Sequence, residues 1–216
     1  MLPNSKAIQR PKQARSIKTE QELLDALEKL LVHKSFADLT VTELATEAGL
    51  TTGAIYRRFG NKEGVLRAAF ERFQDRTRMV HCTERPADLT DYQMIKGYLS
   101  HLMDFTFSNV HIMRAANSLN DIESFDRMNR GRSMGAEWLA ENIRSSALPS
   151  KVLLQRCRFV LRVATATFRD TFLSGRGSAA ILDDDRLEYE AKLDRLCTNL
   201  ATMAERYLEL RDGAKK

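Results

Sequence analysis

Along most of this chain apolar residues return every three or four positions, the spacing that lines one side of a helix. Nowhere do they alternate long enough to make a strand. Leu23, Leu24, Leu27, Leu30 and Leu31 fall at i, i+1, i+4, i+7 and i+8 and predict a helix over residues 16–34. Thr40 and Glu43 make a T-x-x-E capping box ahead of Leu44, Ala45 and Ala48, so a short helix starts there. Gly49 ends it, because the left-handed backbone a helix stop requires costs glycine little. Thr51 caps a third helix reaching Phe59. Asn61 caps a fourth carrying Val65, Leu66, Ala69, Phe70 and Phe73. After a polar break over residues 83–90 that includes Pro86, helical spacing resumes over 91–107, 110–118, 121–146, 150–174 and 184–211. Pro149 and the run Ser174-Gly175-Arg176-Gly177-Ser178 punctuate the last two junctions.

The expected fold class is therefore all-α, in two unequal parts. Residues 1–15 hold Lys6, Arg10, Lys12 and Arg15, no acid, and two prolines, and read as a flexible basic arm. Residues 16–60 form a three-helix unit, 61–75 a connecting fourth helix, and 76–216 a larger helical domain.

Composition narrows the chemistry. The 216 residues carry 34 Lys+Arg against 29 Asp+Glu, a net +5 that permits a polyanionic partner without requiring one. Cys82, Cys157 and Cys197 are scattered, as suits small buried hydrophobes in a reducing compartment. His33, His81, His101 and His111 show no metal-type spacing, and no nucleophile–base pairing or phosphate loop is present. No metal, cofactor or enzymatic activity is expected. Without an apolar leader or a run of roughly 18 apolar residues, the expected location is cytoplasmic, with no membrane contact.

The helices over 40–48 and 51–59, joined at Gly49, have the spacing of a helix-turn-helix. Ala45 is small where two helices would cross, and Leu50 and Ile55 lock the second onto the first. From Gly49 to Lys62 there is no acid, whereas Arg57, Arg58 and Lys62 are basic and Thr51, Thr52 and Tyr56 bring hydroxyls. Such a surface suits the phosphates and base edges of duplex DNA.

The run from Thr40 to Leu66, with Ala45, Ala48-Gly49, Thr51, Gly53, Ile55-Tyr56, Phe59 and Asn61-Lys62-Glu63 in order, closely resembles the TetR family of bacterial transcriptional regulators. The motif resemblance covers residues 16–75; beyond them it rests on length and helix count. It implies an N-terminal three-helix DNA-binding domain followed by a ligand-binding and dimerisation domain. By the same resemblance Thr40 is a phosphate contact, and Thr51, Thr52 and Gly53 lead the recognition helix toward base edges. Tyr56 and Lys62 are implied to bind phosphate. Arg57 lies where such proteins vary with operator sequence, and is expected to contact a guanine for about 1–3 kcal/mol. Arg58 stands where histidine is commoner and would keep a phosphate donor.

For the larger domain, Val152, Leu153, Phe159, Val160, Val163, Ala164, Thr167 and Thr171 are assigned to one face of their helix. Lys151, Arg158, Arg162 and Arg169 lie opposite, as a solvated face or as partners for acids of the last helix rather than as a second nucleic-acid site. Asp183, Asp184 and Asp185 suit a helix N-terminus. The stripe Leu193, Leu196, Cys197, Leu200, Met203, Ala204, Tyr207 and Leu208 calls for a partner, which the resemblance supplies as the last two helices of a second subunit. A pocket for a small apolar or amphipathic effector is expected among Phe105, Phe107, Met113, Phe125, Trp138, Phe159 and Phe168. The implied activity is that of a ligand-released repressor, binding a palindromic operator as a homodimer. A DNA-binding regulator without a small-molecule sensor, or an activator, fits the same residues.

Overall fold

The computed structural model describes the backbone of residues 11–80, 84–85, 87–119, 122–173 and 186–211, and among them the chain forms nine helices and no strand. The first is α1, Pro11–His33. It begins earlier than the basic-arm reading allows. Proline fits the first helical position, where its missing N–H loses no intrahelical bond, so the helix extends back to Pro11.

Local chemistry then sets each boundary of the helix-turn-helix. Before α2, Val41–Ala48, the Thr40 hydroxyl accepts from the Glu43 N–H at 3.2 Å, and the Glu43 carboxylate accepts from the Thr40 N–H at 2.9 Å. Gly49 stops α2 at φ 64°, a backbone that strains any residue with a Cβ. Thr51 caps α3, Thr52–Phe59, by accepting from the Ala54 N–H. Asn61 opens α4, Lys62–Val80, by accepting from the Gly64 N–H at 2.8 Å.

The remaining helices are α5 (Asp91–Ser108), α6 (Val110–Ala116), α7 (Ile122–Asn142), α8 (Ser150–Leu173) and α9 (Arg186–Tyr207). Helix α7 ends short of residue 146 because Asp91, at the head of α5, captures the chain that follows. Its carboxylate accepts from the N–H groups of Arg144 and Ser145 and from the Ser145 hydroxyl. The same carboxylate is paired at 2.5 Å with Arg85, and both side chains are buried. Arg85 also donates to the carbonyls of Leu89 and Asn142. This buried pair, with the hydrogen bonds around it, ties the start of α5 to the end of α7.

There are two apolar cores. One gathers Leu27, Leu44, Ile55, Leu66 and Ile112 from α1–α4 and α6; the other gathers Leu99, Leu139, Ala164 and Cys197 from α5 and α7–α9, with Leu208 just beyond α9. The rings of Phe73 on α4 and Phe105 on α5, 5.4 Å apart, stack where the cores meet. Cys157 and Cys197 are buried as expected, and burial pushes the Cys157 thiol up to about 12; Cys82 lies outside the described residues.

Two expectations about helix faces need correction. On α8 the buried residues are Leu153, Cys157, Val160, Leu161, Ala164 and Phe168, while Val152 and Phe159 are exposed. Position 159 follows 152 by seven, and both point more than a third of a turn away from the centre of the buried face. On α9 the stripe meant for a second subunit is largely consumed within the chain, where Leu193, Cys197, Leu200, Ala204 and Leu208 are buried against α5 and α8. Tyr207 remains outside, 5.3 Å from Phe159. The acids at 183–185 lie outside the described residues.

Candidate nucleic-acid interface

Helix α3 is held by one residue and presents the rest. Ile55 is fully buried, and Gly53, Tyr56 and Arg57, at i, i+3 and i+4, share the opposite, exposed side. Tyr56 is 52% exposed, unusual for a ring that size. Thr52 is half-buried in the first turn. Gly53 has nothing of this chain within 4 Å of where a Cβ would stand, so the fold itself does not require glycine there. Thr40 and Thr51 are exposed at the N-termini of α2 and α3, where free backbone N–H groups favour an anion. The Thr40 hydroxyl donates to Glu43, and Lys34 pairs with the same carboxylate at 2.6 Å. The Lys34 hydrogen bond foremost, then those from Thr40, hold the Glu43 carboxyl down to about 2.

Two residues expected to grip phosphate are engaged by partners within the chain. Arg58, one position round α3 from Arg57, donates to the Ser16 hydroxyl at 2.9 Å and to the Glu20 carboxylate, tying α3 to α1. Lys62 donates to the carbonyl oxygens of Phe36, Ala37 and Leu39 at 3.0, 3.2 and 2.9 Å, with its ammonium 4.8 Å from the Phe36 ring centroid. Its three N–H donors match three acceptors where α1 gives way to α2.

Helices α4–α8 line a partly open cavity of about 120 Å³. Its apolar wall is Phe73 of α4, Leu102 of α5, Met113 of α6, Met128 of α7 and Leu161 and Phe168 of α8. Gln74, Thr77, Thr106 and Thr165 add hydrogen-bonding groups, and Arg78, Arg132 and Arg169 complete the lining. Helix α4 thus begins on the helix-turn-helix and ends in the cavity wall.

A model of one family, described as bacterial regulatory proteins of the tetR family, matches residues 23–69, the stretch holding α2, α3 and the first half of α4. The likeness in sequence to the tetR-family regulatory proteins lies in this segment. Solved structures show the same fold over most of the chain. A tetR-family transcriptional regulator from Streptomyces coelicolor superposes with a TM-score of 0.65 at 16% identity, covering 87% of this chain and 81% of that one. A regulator of the same family from Mesorhizobium loti gives 0.60 at 15% identity, with 89% and 97% covered. The dihydroxyacetone kinase operon activator DhaS gives 0.56 at 14% identity, with 89% and 97% covered. The helix-turn-helix segment is accordingly of the kind found in the tetR-family bacterial regulatory proteins.

Of the side chains expected around an effector pocket, Met113 and Phe168 line the cavity. Phe105 stacks on Phe73, and Trp138 stacks on Tyr98 at 5.1 Å. Phe107 packs on the second core, Phe159 faces outward, and the side chain of Phe125 lies outside the described residues. Large aromatic rings at helical spacing mostly fill cores rather than leave space beside them. The cavity's polar residues were missed, although the arginines of α8 signalled one of them. Arg158 pairs with Glu137 of α7 at 3.6 Å, not with an acid of the last helix. Among the described residues no three His, Cys, Asp or Glu side chains converge on a metal position, and no helix is long and apolar enough to cross a membrane.

Proposed function

We propose that this chain is a TetR-family DNA-binding transcriptional regulator that reads a palindromic operator through the outer face of α3, as a symmetric dimer, and releases it when a small ligand fills the cavity. Tyr56 and the N-terminal ends of α2 and α3, at Thr40 and Thr51, meet phosphates; Thr52, Gly53 and Arg57 face the major groove. Arg58 and Lys62 hold α3 and α4 in position.

Gly53 carries this reading. Gly53 lies in the first turn of α3, where glycine costs up to roughly 0.5 kcal/mol relative to alanine, and no neighbour within the chain accounts for that cost. A surface that needs close approach by something outside the chain does account for it. Gly53→Ala therefore makes the protein slightly more stable in a thermal melt while weakening its binding to a duplex selected from random sequence. Unchanged binding by the stabilised variant would refute the assignment.

Dimerisation is supported by Val152, Phe159 and Tyr207, 36%, 49% and 38% exposed on the neighbouring faces of α8 and α9. A symmetric pair of subunits would set two recognition helices about one DNA turn apart, roughly 34–36 Å. Ligand control is supported by α4, which is tied at Lys62 to the α1–α2 junction and carries Phe73, Gln74 and Thr77 into the cavity wall. A ligand that prefers a different tilt of α4 shifts the population of dimers away from the operator-matching separation.

A further inference from the structure

The cavity wall is apolar, but its surroundings on one side are not. Arg132 of α7 and Arg169 of α8 line the cavity, and the same two side chains line an open cleft between α7 and α8 that also contains Arg158, Arg162, Asn129 and Ser133. Four guanidinium groups thus share one cleft. Among the described residues only Arg158 of the four has an acidic partner, Glu137. Arg132 donates to the Asn129 side-chain oxygen, and its pKa is lowered by partial burial and by the charges of Arg162 and Arg169. Like charges gathered at the edge of an apolar space cost stability unless something negative joins them. Neither other use of a basic patch fits well. The cleft belongs to α7 and α8, not to the recognition helix, and Arg162 and Arg169 lie roughly a quarter turn around α8 from Val152 and Phe159.

We propose that the effector is an amphipathic oxyanion, its head held by Arg132 and Arg169 with Arg162 alongside, and its short apolar tail in the cavity against Phe73, Met113 and Phe168. The guanidinium fork matches the two oxygens of a carboxylate or the face of a phosphate monoester, and its charge selects against neutral or cationic molecules of the same shape. The volume sets the length of the tail. Apolar cavities of about 150 Å³ accept a benzene ring, so about 120 Å³ suits a small ring or a chain of about five carbons. This inference rests on the ligand-responsive reading above and gives its ligand a chemical class.

The test uses the full chain with its selected operator duplex and four probes of one length: hexanoate, hexyl phosphate, hexanamide and hexylamine. Melting temperature reports binding, and fluorescence anisotropy of labelled duplex reports release. At least one oxyanion should stabilise the protein and release the duplex, and the better of the two identifies the head group. Hexanamide and hexylamine should be at least about 10-fold weaker. Arg132→Gln with Arg169→Gln should weaken the oxyanion about 10–100-fold, the weight of charge-assisted hydrogen bonds, without changing the weak binding of hexanamide. If that double variant fails to fold, Arg169→Gln alone, at an exposed position, gives the same readout. Gly131→Leu fills the cavity from a position where a Cβ meets nothing within 4 Å, so it should abolish tail binding while preserving the melt. Equal binding of hexanamide and hexanoate would overturn the anionic class and leave a sensor of apolar molecules. No binding of any probe by protein that still holds its duplex would overturn the cavity's sensor role as well.

Discussion

Replacing Lys62 by methionine keeps the length of the side chain and removes its charge and donors. In the native protein the ammonium satisfies three carbonyls within 3.2 Å and rests on the Phe36 ring. Hydrogen bonds to a charged group contribute about 1.5–3 kcal/mol each when buried. Lys62 is only half-buried, and water can reach part of what it leaves, so the net loss should be about 2–3 kcal/mol rather than the sum. For a chain of this size each kcal/mol moves the melting temperature by about 2–4 °C, so Lys62→Met should melt about 4–12 °C lower. Operator affinity should fall too, because α4 loses its fastening to the α1–α2 junction. The decisive quantity is the slope of log affinity against log salt. A phosphate-gripping lysine contributes about 0.9 per contact to that slope, whereas a lysine committed to carbonyls contributes nothing. Titrations of wild type and variant at several salt concentrations should give parallel lines. A variant with unchanged melting and a slope shallower by about one unit per subunit would refute the inward role and restore the phosphate contact.

Asp91→Asn should cost about 3–5 kcal/mol, because it leaves Arg85 buried without its countercharge. Burial alone would raise the Asp91 pKa, but hydrogen bonds from Ser145, Arg85 and Arg144 outweigh it and hold the carboxyl below its ordinary range. Its stabilisation is thus complete above about pH 4–5 and lost as pH falls through the folded-state value, so the variant's stability should depend less on pH in acid. An equally steep acid limb in the variant would count against this. Gly64→Ala would place a Cβ 2.0 Å from the Phe59 carbonyl oxygen, a backbone atom that cannot rotate away. A loss of about 2–3 kcal/mol in a denaturant titration is expected, and an unperturbed midpoint would contradict the close approach. Phe159→Glu puts a charge on the exposed patch of α8 and α9 and should shift the protein toward monomer in sedimentation without lowering the monomer's helicity; an intact dimer would place the interface elsewhere.

The helix-turn-helix was legible because its determinants are local. Thr40 and Glu43 are three residues apart, Thr51 caps its own helix, and Gly49 needs only its own backbone angle. The outward set of α3, Gly53, Tyr56 and Arg57, came with the motif resemblance, and helical spacing of three and four accounts for it. Arg58 and Lys62 misled because their partners, Glu20 and the carbonyls of Phe36, Ala37 and Leu39, lie more than twenty residues away. A free cation and a committed one look alike in a motif. On α8 the apolar residues occupy more than one side, so periodicity did not show that Leu161 and Phe168 face inward while Val152 and Phe159 face out. The cavity was visible only as a region, since five helices from separate stretches of sequence line it. On α9 the apolar stripe was real, but whether α5 or a second subunit covers it is a property of topology.

That last point bears on how such a regulator responds to its own abundance. Because α5 and α8 already cover most of α9, a single subunit closes most of its own core. A dimer relying on the patch left at Val152, Phe159 and Tyr207 would then form and separate within the range of cellular concentrations, with DNA helping to hold the pair together. Below the dimer's dissociation constant, operator occupancy would rise as the square of the amount of protein, so halving expression would cut repression by about four. The gene's dosage would become a second input beside the ligand.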